Sequence, residues 1–247
     1  MNTLHCLVDY YNQATLRRGV PPNYADHHNA VELIADRLHK TLEQMNLGCT
    51  ELRIRLYGGW SSSETGAPTI DREILGALIR KLFPTRSKRI RIFVQAIDSL
   101  ACAPDEQLIH TVRPLPGLIP FKLNRSISAC PLGPQACALP GLDSWRRGRC
   151  PQHAKCGCTT EMATVSVRQK LIDTMIVADT ITLAVQTENS WVAAVSNDDD
   201  IIPGIMAAAA ISKRVFLIRY GRREPSPYDE ILSRRSITLW DEPKHDT

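Results

Sequence analysis

The sequence lacks any apolar run close to the about 20 residues that a helix needs to cross a bilayer. Its first residues, Met1–His5, have neither the basic start nor the long apolar stretch of a secretory signal peptide. We therefore expect a cytoplasmic protein with no membrane partner. Its cysteines should then be reduced or bound to a metal rather than joined in disulfides.

Two familiar catalytic motifs are also absent. No Gly-x4-Gly-Lys-Ser/Thr segment is present to cradle nucleotide phosphates. The serines at Ser61–Ser63 lack the Gly-x-Ser-x-Gly setting of an esterase nucleophile. The histidines outside the Cys-rich segment form no pattern with a nucleophile, and no internal repeat is found. Any catalytic site must therefore be formed by other residues of the chain.

The composition is that of an ordinary globular protein, with 43% hydrophobic and 23% charged residues. A chain of 247 residues is long enough for one large α/β domain, or for one domain with a sizeable insertion. The net charge of +4 permits a polyanionic partner but does not require one.

Short apolar runs alternate with segments of helical periodicity, which predicts an α/β fold. The predicted strands are Leu4–Val8, Glu51–Tyr57, Ile90–Gln95, Ala163–Val167, Val192–Val195, Arg214–Arg219 and Ser236–Trp240. The predicted helices are one capped by Asp26 and ended by Gly48, then Ile70–Phe83, Thr174–Leu183, Ile202–Ile211 and Tyr228–Leu232. We expect a mostly parallel central sheet flanked by helices.

Three consecutive carboxylates, Asp198, Asp199 and Asp200, follow the apolar strand Val192–Val195 and precede a helix. Ligands of open α/β sheets bind at this carboxyl end of the strands. Adjacent carboxylates repel one another unless a cation or a helix N-terminus compensates their charge. An Asp-rich turn that only caps the next helix explains the same residues, and the two interpretations stay open here.

Two further acids extend this pattern, because Asp9 ends the first strand and Asp173 opens a later helix. If the strands are neighbours, these carboxylates converge on one edge of the sheet. A site made only of oxygen ligands suits Mg²⁺ or Mn²⁺. A metal held in this way can deprotonate water and polarise a phosphoryl oxygen during attack on a phosphodiester.

Three segments together resemble the NYN domains, a branch of the PIN-like nucleases. Leu7–Asn12 resembles the family's opening hydrophobic-hydrophobic-Asp-x-x-Asn segment. Lys170–Asp173, with Asp179 six residues on, resembles its Lys-x-Val-Asp segment and the Asp of the following helix. Ser196–Pro203 resembles its Ser-Gly-Asp-Ser-Asp-Phe-x-Pro. The segments occur in the family's order and span roughly two thirds of the chain.

The resemblance implies a single PIN-like, Rossmann-like domain over residues 1–247 that acts as a metal-dependent endoribonuclease. Hydrolysis of RNA would leave a 5′-phosphate and a 3′-hydroxyl. The implied Mg²⁺ or Mn²⁺ ligands are Asp9, Asp173, Asp198 and Asp200, and Asn12 would orient substrate or water. Substrate contacts are expected from Lys170, Ser196 and Asn197. Asp179 is as well explained by a helix N-terminal or surface charge.

The chain departs from the family's pattern at three positions. Asn197 stands in place of Gly, and Asn can adopt the positive φ that Gly supplies. Ile201 replaces an aromatic residue, and Asp199 replaces Ser and adds a charge. None of these changes removes an implied metal ligand, so we expect an active enzyme.

Basic residues crowd the end of the second predicted helix and the loop after it. A solvated helix end with a charged loop is the commoner meaning of such a run, and a track for a phosphate backbone is the functional one. The candidates for holding RNA are Arg53, Arg55, Arg80, Lys81, Lys88 and Arg89.

Residues 98–162 are rich in proline and poor in periodicity, which predicts an insertion or an elaborated connection. Within it, residues 130–158 hold five cysteines and a histidine and are interpreted as a zinc knuckle with one structural Zn²⁺. The favoured ligands are Cys130, Cys137, Cys150 and Cys156, with His153 or Cys158 as substitutes. Some NYN proteins carry a cysteine knuckle just before the Lys-x-x-Asp segment. Free cysteines in a cytosolic loop remain the alternative.

Two rival functions stay open beside the ribonuclease. One is a non-catalytic RNA- or protein-binding adaptor of PIN-like fold, in which the Cys-rich segment docks a protein partner or a second copy of the chain. The intact acids argue against this adaptor. The other is a phosphatase acting on a small molecule, which would need a tighter pocket and no basic track.

Overall fold

The computed structural model describes residues 2–14, 16, 22–62, 65–101, 111–116, 138–150, 162, 164–169, 171–186, 189–221 and 226–242. The chain divides into two compact units. The first comprises Met1–Val112 and Gln169–Thr247, and the second is Arg113–Arg168. The second unit overlaps most of the segment in which we expected an insertion. In the described part of the chain, no helix is both long and apolar enough to span a membrane.

A seven-stranded sheet organises the first unit. Its strands are β1 (Thr3–Asp9), β2 (Glu51–Tyr57), β3 (Thr85–Ser87), β4 (Ile90–Ala96), β7 (Trp191–Val195), β8 (Val215–Tyr220) and β9 (Thr238–Glu242). Their order is β3-β4-β2-β1-β7-β8-β9. All neighbours are parallel except β3, which is antiparallel to β4. The expected mostly parallel α/β sheet is confirmed.

Two further strands, β5 (Val112–Pro116) and β6 (Val165–Gln169), form a separate two-stranded sheet. The strand predicted at Ala163–Val167 is therefore shifted, and it does not join the central sheet. Its short apolar pattern marked a strand correctly but carried no information about its partner, because pairing depends on distant segments.

Seven helices are described. They are α1 (Tyr10–Gln13), α2 (Tyr24–Met45), α3 (Ile70–Leu82), α4 (Leu139–Arg146), α5 (Ile172–Gln186), α6 (Ile202–Ile211) and α7 (Asp229–Arg234). The cap predicted for α2 is wrong by three residues. Asn23 caps the helix by accepting from the backbone of Ala25 and Asp26, and the Asp26 carboxylate accepts from the Asn23 N–H in return. This reciprocal pair is a capping box, so Asp26 is its third helical residue.

The sheet is buried on both faces, as continuous apolar strands predict. Alternate residues of β1, Leu4 and Val8, face a core that includes α2, whereas Leu7 faces a core that includes α5 and α6. Gly204 lets α6 approach α5, because a Cβ at this position would lie 2.3 Å from a methyl carbon of Val177. The acids near both helix N-termini are held in place by this packing.

The strand order reverses at one point in the sheet. From β1 the chain adds β2 and β4 on one side, and it later adds β7, β8 and β9 on the other side. The crevice between β1 and β7 is therefore the topological switch point, where doubly wound sheets bind their ligands.

Candidate active site

Asp9 and the acid loop, defined as Ser196–Asp200, leave the sheet side by side. β1 and β7 are adjacent and parallel, and Val8 lies opposite Val195 in their register. Both strands therefore deliver their next residues to the same carboxyl edge, at the switch point. The predicted convergence of Asp9 and Asp198 on one edge is confirmed by this register.

Asp9 is held by hydrogen bonds from both sides of the crevice. Its Oδ1 accepts from the Asn12 N–H (3.3 Å), and its Oδ2 accepts from Ser196 Oγ (3.5 Å). Ser196 is fully buried, and its Oγ also accepts from the Asp198 N–H at 3.1 Å. Ser196 thus joins Asp9 to the acid loop, and its burial leaves it poorly placed for the substrate contact that we expected.

The Asp9 carboxyl is strained electrostatically. Burial, above all, raises its pKa from 3.8 to about 7, and the nearby charges of Asp173 and Asp198 add to the rise. The hydrogen bonds from Asn12 and Ser196 lower this pKa, but they do not outweigh burial. A cation bound beside this carboxyl would stabilise its charged form, which burial disfavours.

Asp173 lies in the first turn of α5, next to the same group of charges. Its pKa is raised by burial first, and then by Asp198 and Asp200. The chain enters α5 through Leu171, which has a left-handed backbone with φ of 71°. This conformation costs a non-glycine residue about 1 kcal/mol or more, and such costs cluster at functional sites.

Asp200 belongs to a short 3₁₀ turn, Asp199–Ile201, that leads into α6, and Asp198 directly precedes this turn. Asp198 caps this turn, since its Oδ1 accepts from the Asp200 N–H at 3.1 Å. The capping interpretation therefore holds only for Asp198 and the 3₁₀ turn, because α6 itself has no side-chain cap among the described residues. It does not exclude a second role, because capping occupies one carboxylate oxygen and Asp200 remains exposed.

Asp199 is engaged in a different contact from its two neighbours. Its Oδ1 accepts from Arg219 Nη2 (3.1 Å) and from Ser226 Oγ (2.9 Å). The Arg219 side chain is fully buried in β8, and its Nη1 donates to Asp229 Oδ1 at 2.6 Å. Asp199, the middle acid of the loop, is thus paired with an arginine that the sequence did not single out. The sequence did contain one indication of this arginine, which is a charged residue inside the otherwise apolar strand Val215–Tyr220.

Asn12 and Asn197 connect α1 to the acid loop. The Asn197 N–H donates to Asn12 Oδ1 (2.8 Å), and Asn197 Nδ2 donates to the Tyr220 carbonyl oxygen (2.9 Å). Asn197 is not among the described residues with positive φ, so the expected glycine-like backbone is wrong. The Asn197 side chain is instead hydrogen-bonded to the backbone of β8. Asn12 holds the acid loop through its hydrogen bond from the Asn197 N–H.

The donor set of the crevice fits a hard divalent cation, because it consists of carboxylate and amide oxygens. In the described part of the chain, no group of three or more His, Cys, Asp or Glu side chains is arranged to hold a metal ion. Mg²⁺ commonly needs only one or two carboxylates, and keeps several waters or takes substrate phosphates. A site of that kind fits Asp9 and its neighbours without a complete protein cage.

Asp179 is neither a surface charge nor a helix N-terminal charge. It is fully buried in α5 and accepts from Tyr57 Oη (2.6 Å), Ser99 Oγ (2.8 Å) and the N–H groups of Leu100 (2.6 Å) and Ala101 (2.9 Å). It therefore fastens the segment after β4 onto α5. Its hydrogen bonds are those of a structural residue.

The predicted RNA contacts are scattered. Arg55 is buried and its Nη1 lies 2.9 Å from His5 Nδ1, so it is not available to a backbone phosphate. Arg53 is exposed but pairs with Glu51 and lies over the Phe93 ring. Lys88 and Arg89 precede β4, at the amino edge of the sheet, and Lys88 pairs with Glu43. That edge is about 20 Å from the acids across a seven-residue strand.

A buried polar cluster anchors the short helix that follows Asp9. Tyr10 Oη lies 2.7 Å from Nδ1 of the fully buried His27, and His27 Nε2 lies 3.4 Å from Asp71 Oδ1. Tyr11 Oη also donates to Asp71. The bonds from His27 and Tyr11 hold the Asp71 pKa below its usual range. The cluster ties α1 to α2 and α3, and sequence spacing gave no sign of it.

Several predicted residues lie outside the described part of the chain. They are Lys170, Cys130, Cys137, Cys156, His153 and Cys158. Cys150 is described and half-buried. The zinc knuckle and the substrate contact of Lys170 therefore stay predictions.

No family model, curated protein or solved structure matches this chain. The interpretation of the crevice between β1 and β7 therefore depends on its own geometry and charges.

Proposed function

We propose that this protein is a metal-dependent ribonuclease of the PIN-like type that hydrolyses RNA phosphodiester bonds in the cytoplasm. The observation that carries the proposal is the convergence of Asp9, Asp173 and Asp198 at the switch point of a parallel sheet, where burial raises the Asp9 pKa to about 7. A carboxyl group crowded by Asp173 and Asp198 is costly to ionise without a cation. This cost is typical of a site built to bind one.

Asp9, Asp173, Asp198 and Asp200 are the residues that would hold Mg²⁺ or Mn²⁺. The bound ion would supply Lewis-acid polarisation of a phosphoryl group and would acidify water. Asn12 and Ser196 would keep Asp9 and the acid loop in a fixed relation, through their bonds to the loop backbone. The pairing of Asp199 with Arg219, which Asp229 shares, offsets part of a negative charge that would otherwise repel the phosphate.

The test is cleavage of mixed RNA and DNA substrates with Mn²⁺ or Mg²⁺, with and without a chelator. We expect RNA cleavage that leaves 5′-phosphates and stops when the cation is removed. Asp198→Asn should reduce turnover by at least about 100-fold, because it weakens cation binding and leaves the side chain's size almost unchanged. RNA binding should persist or tighten, since a charge that repels phosphate is lost.

Asp199→Asn is the matched control, because it changes an acid in the same loop whose carboxylate is paired with Arg219. Its amide oxygen can still accept from Arg219 and Ser226, so we expect cleavage close to that of the wild type. An adaptor would bind RNA or protein without cleavage and with no dependence on the cation. If Asp199→Asn abolishes cleavage and Asp198→Asn does not, the assignment of the acids is wrong.

A further inference from the structure

A groove of about 580 Å³ lies between α3 and the second half of β4. β3 pairs only with Ile90–Ile92, so the outer edge of β4 beyond Ile92 is left without a strand partner in the described chain. The groove is lined on the strand side by Val94, Gln95 and Ala96. Peptide N–H and C=O groups of this open edge are thus available to a ligand.

The helix side of the groove carries two arginines, with a glycine midway between them in the sequence. Arg72, Gly76 and Arg80 follow one another at the spacing of one helical turn. A Cβ at Gly76 would lie 3.5 Å from Arg80 Nη1, so the Arg80 side chain folds back along the helix over the glycine. A methyl group would fit here at ordinary contact distance, so only a longer side chain at position 76 would fill the groove.

The two arginines differ in how firmly they are held. Arg72 donates to Asp98 (2.8 Å) and to Ser61 Oγ (3.1 Å), which fixes its position. Arg80 is exposed, and within the described residues no carboxylate pairs with it. Glu73 also lines the groove, so its lining carries charges of both signs beside apolar side chains such as Ile79. Such a lining suits a flat ligand with polar edges and an adjacent anion better than a bare phosphate.

The groove lies on the same edge of the sheet as the acids. Ala96 pairs with Leu56, and Leu56 pairs with Val8, the residue before Asp9. Two strand spacings therefore separate the groove from Asp9 along this row, which is about 10 Å. A single strand of RNA bound at the acids can therefore also reach the groove.

We propose that the groove between α3 and β4 binds one nucleotide of single-stranded RNA that lies near the bond cleaved at Asp9. The base lies between the open β4 edge and the Arg80 guanidinium, and the adjacent phosphate is neutralised by Arg80. Unpaired bases are recognised in this way, by stacking on guanidinium planes and by bonds to their edges. The ligand class depends on the proposed ribonuclease function. A peptide strand fits less well, because only four residues of the β4 edge are open.

The test measures binding of fluorescent ten-nucleotide homopolymers by anisotropy, in chelator and without cleavage. Gly76→Met fills the groove and should weaken binding about tenfold, the effect expected for loss of one stacked base. Ala77→Met adds the same side chain at the adjacent exposed position of α3 and should change binding less than about twofold. Arg80→Gln should weaken binding more than Arg86→Gln, which removes the same charge from β3.

The outcomes separate the groove from the catalytic proposal. If RNA is cleaved at the acid site but Gly76→Met and Arg80→Gln bind it like the wild type, the groove assignment is wrong and the ribonuclease stands. If the wild type binds RNA and loses affinity on these substitutions but never cleaves it, the groove stands and the ribonuclease fails. A wild-type protein that binds no RNA overturns the groove, whether or not a peptide binds there. Arg80 is exposed, so Arg80→Gln gives a result even if Gly76→Met folds poorly.

Discussion

The raised pKa of Asp9 predicts a specific dependence of stability on pH. In the unfolded chain this carboxyl titrates near its ordinary 3.8, whereas in the folded protein its pKa is about 7. Between these values the folded state binds the proton that the unfolded state has already released. Because folding takes up this proton, the Asp9 contribution to stability falls as pH rises from about 4 to about 7, and it is constant above.

The size of the effect follows from the two pKa values. A rise from 3.8 to about 7 corresponds to about 4 kcal/mol at 1.36 kcal/mol for each pKa unit. The side chain is only half-buried, and solvent at its open side reduces this to about 2–4 kcal/mol. Asp9→Asn removes the charge and keeps an oxygen that can accept from Asn12.

The wild type and Asp9→Asn should be compared by urea unfolding at pH 4 to pH 8 in chelator. The comparison is necessary because burial lowers the His5 pKa to about 4, so that His5 adds stability as pH rises through the same range. Only the difference between the two proteins isolates Asp9. We expect Asp9→Asn to gain about 2–4 kcal/mol on the wild type between pH 4 and pH 8.

Mg²⁺ or Mn²⁺ at pH 8 should then stabilise the wild type and have little effect on Asp9→Asn, because the cation compensates a charge that the variant lacks. Parallel pH profiles for the two proteins would refute the reasoning. They would mean that the Asp9 carboxyl is as well solvated in the folded protein as in the unfolded chain.

Two further predictions concern packing and zinc. Gly204→Ala should cost about 1–3 kcal/mol in thermal or urea unfolding despite its better helix propensity, because its Cβ would overlap Val177. Adding Val177→Ala should recover most of that loss, and no recovery would show that the helices are not in contact there. The purified protein should contain about one tightly bound zinc ion per chain. Elemental analysis without zinc, together with free alkylation of the clustered cysteines in the folded protein, would leave only a cysteine-containing loop.

Local patterns were enough to predict the framework of the sheet. Glu51–Tyr57 and Ile202–Ile211 have the predicted bounds, because alternation and helical periodicity act within a few residues. The convergence of Asp9 and Asp198 was also predictable, since both acids follow strands of a parallel sheet. β3 was missed because its three residues are polar and exposed or half-exposed, and its pairing with β4 alone defines it.

Side-chain contacts across the chain were not predictable. Whether Arg55 is exposed depends on His5, fifty residues away, and sequence spacing contains no sign of that contact. The same is true of Asp179, whose partners include residues on β2 and on the segment after β4. The role of a charged residue therefore cannot be assigned from the sequence alone, because it depends on the partners that the fold brings to it.

Arg219 imposes an order on the assembly of the site. Its guanidinium is fully buried and pairs with Asp199 in the acid loop and with Asp229 at the start of α7. Docking β8 without these carboxylates would leave an uncompensated buried charge, at a cost on the order of 3–5 kcal/mol. During synthesis, a nascent chain cannot complete the acid loop until Asp229 has left the ribosome. Whatever chemistry the loop performs, it therefore depends on a residue that lies thirty positions after Asp199 in the sequence.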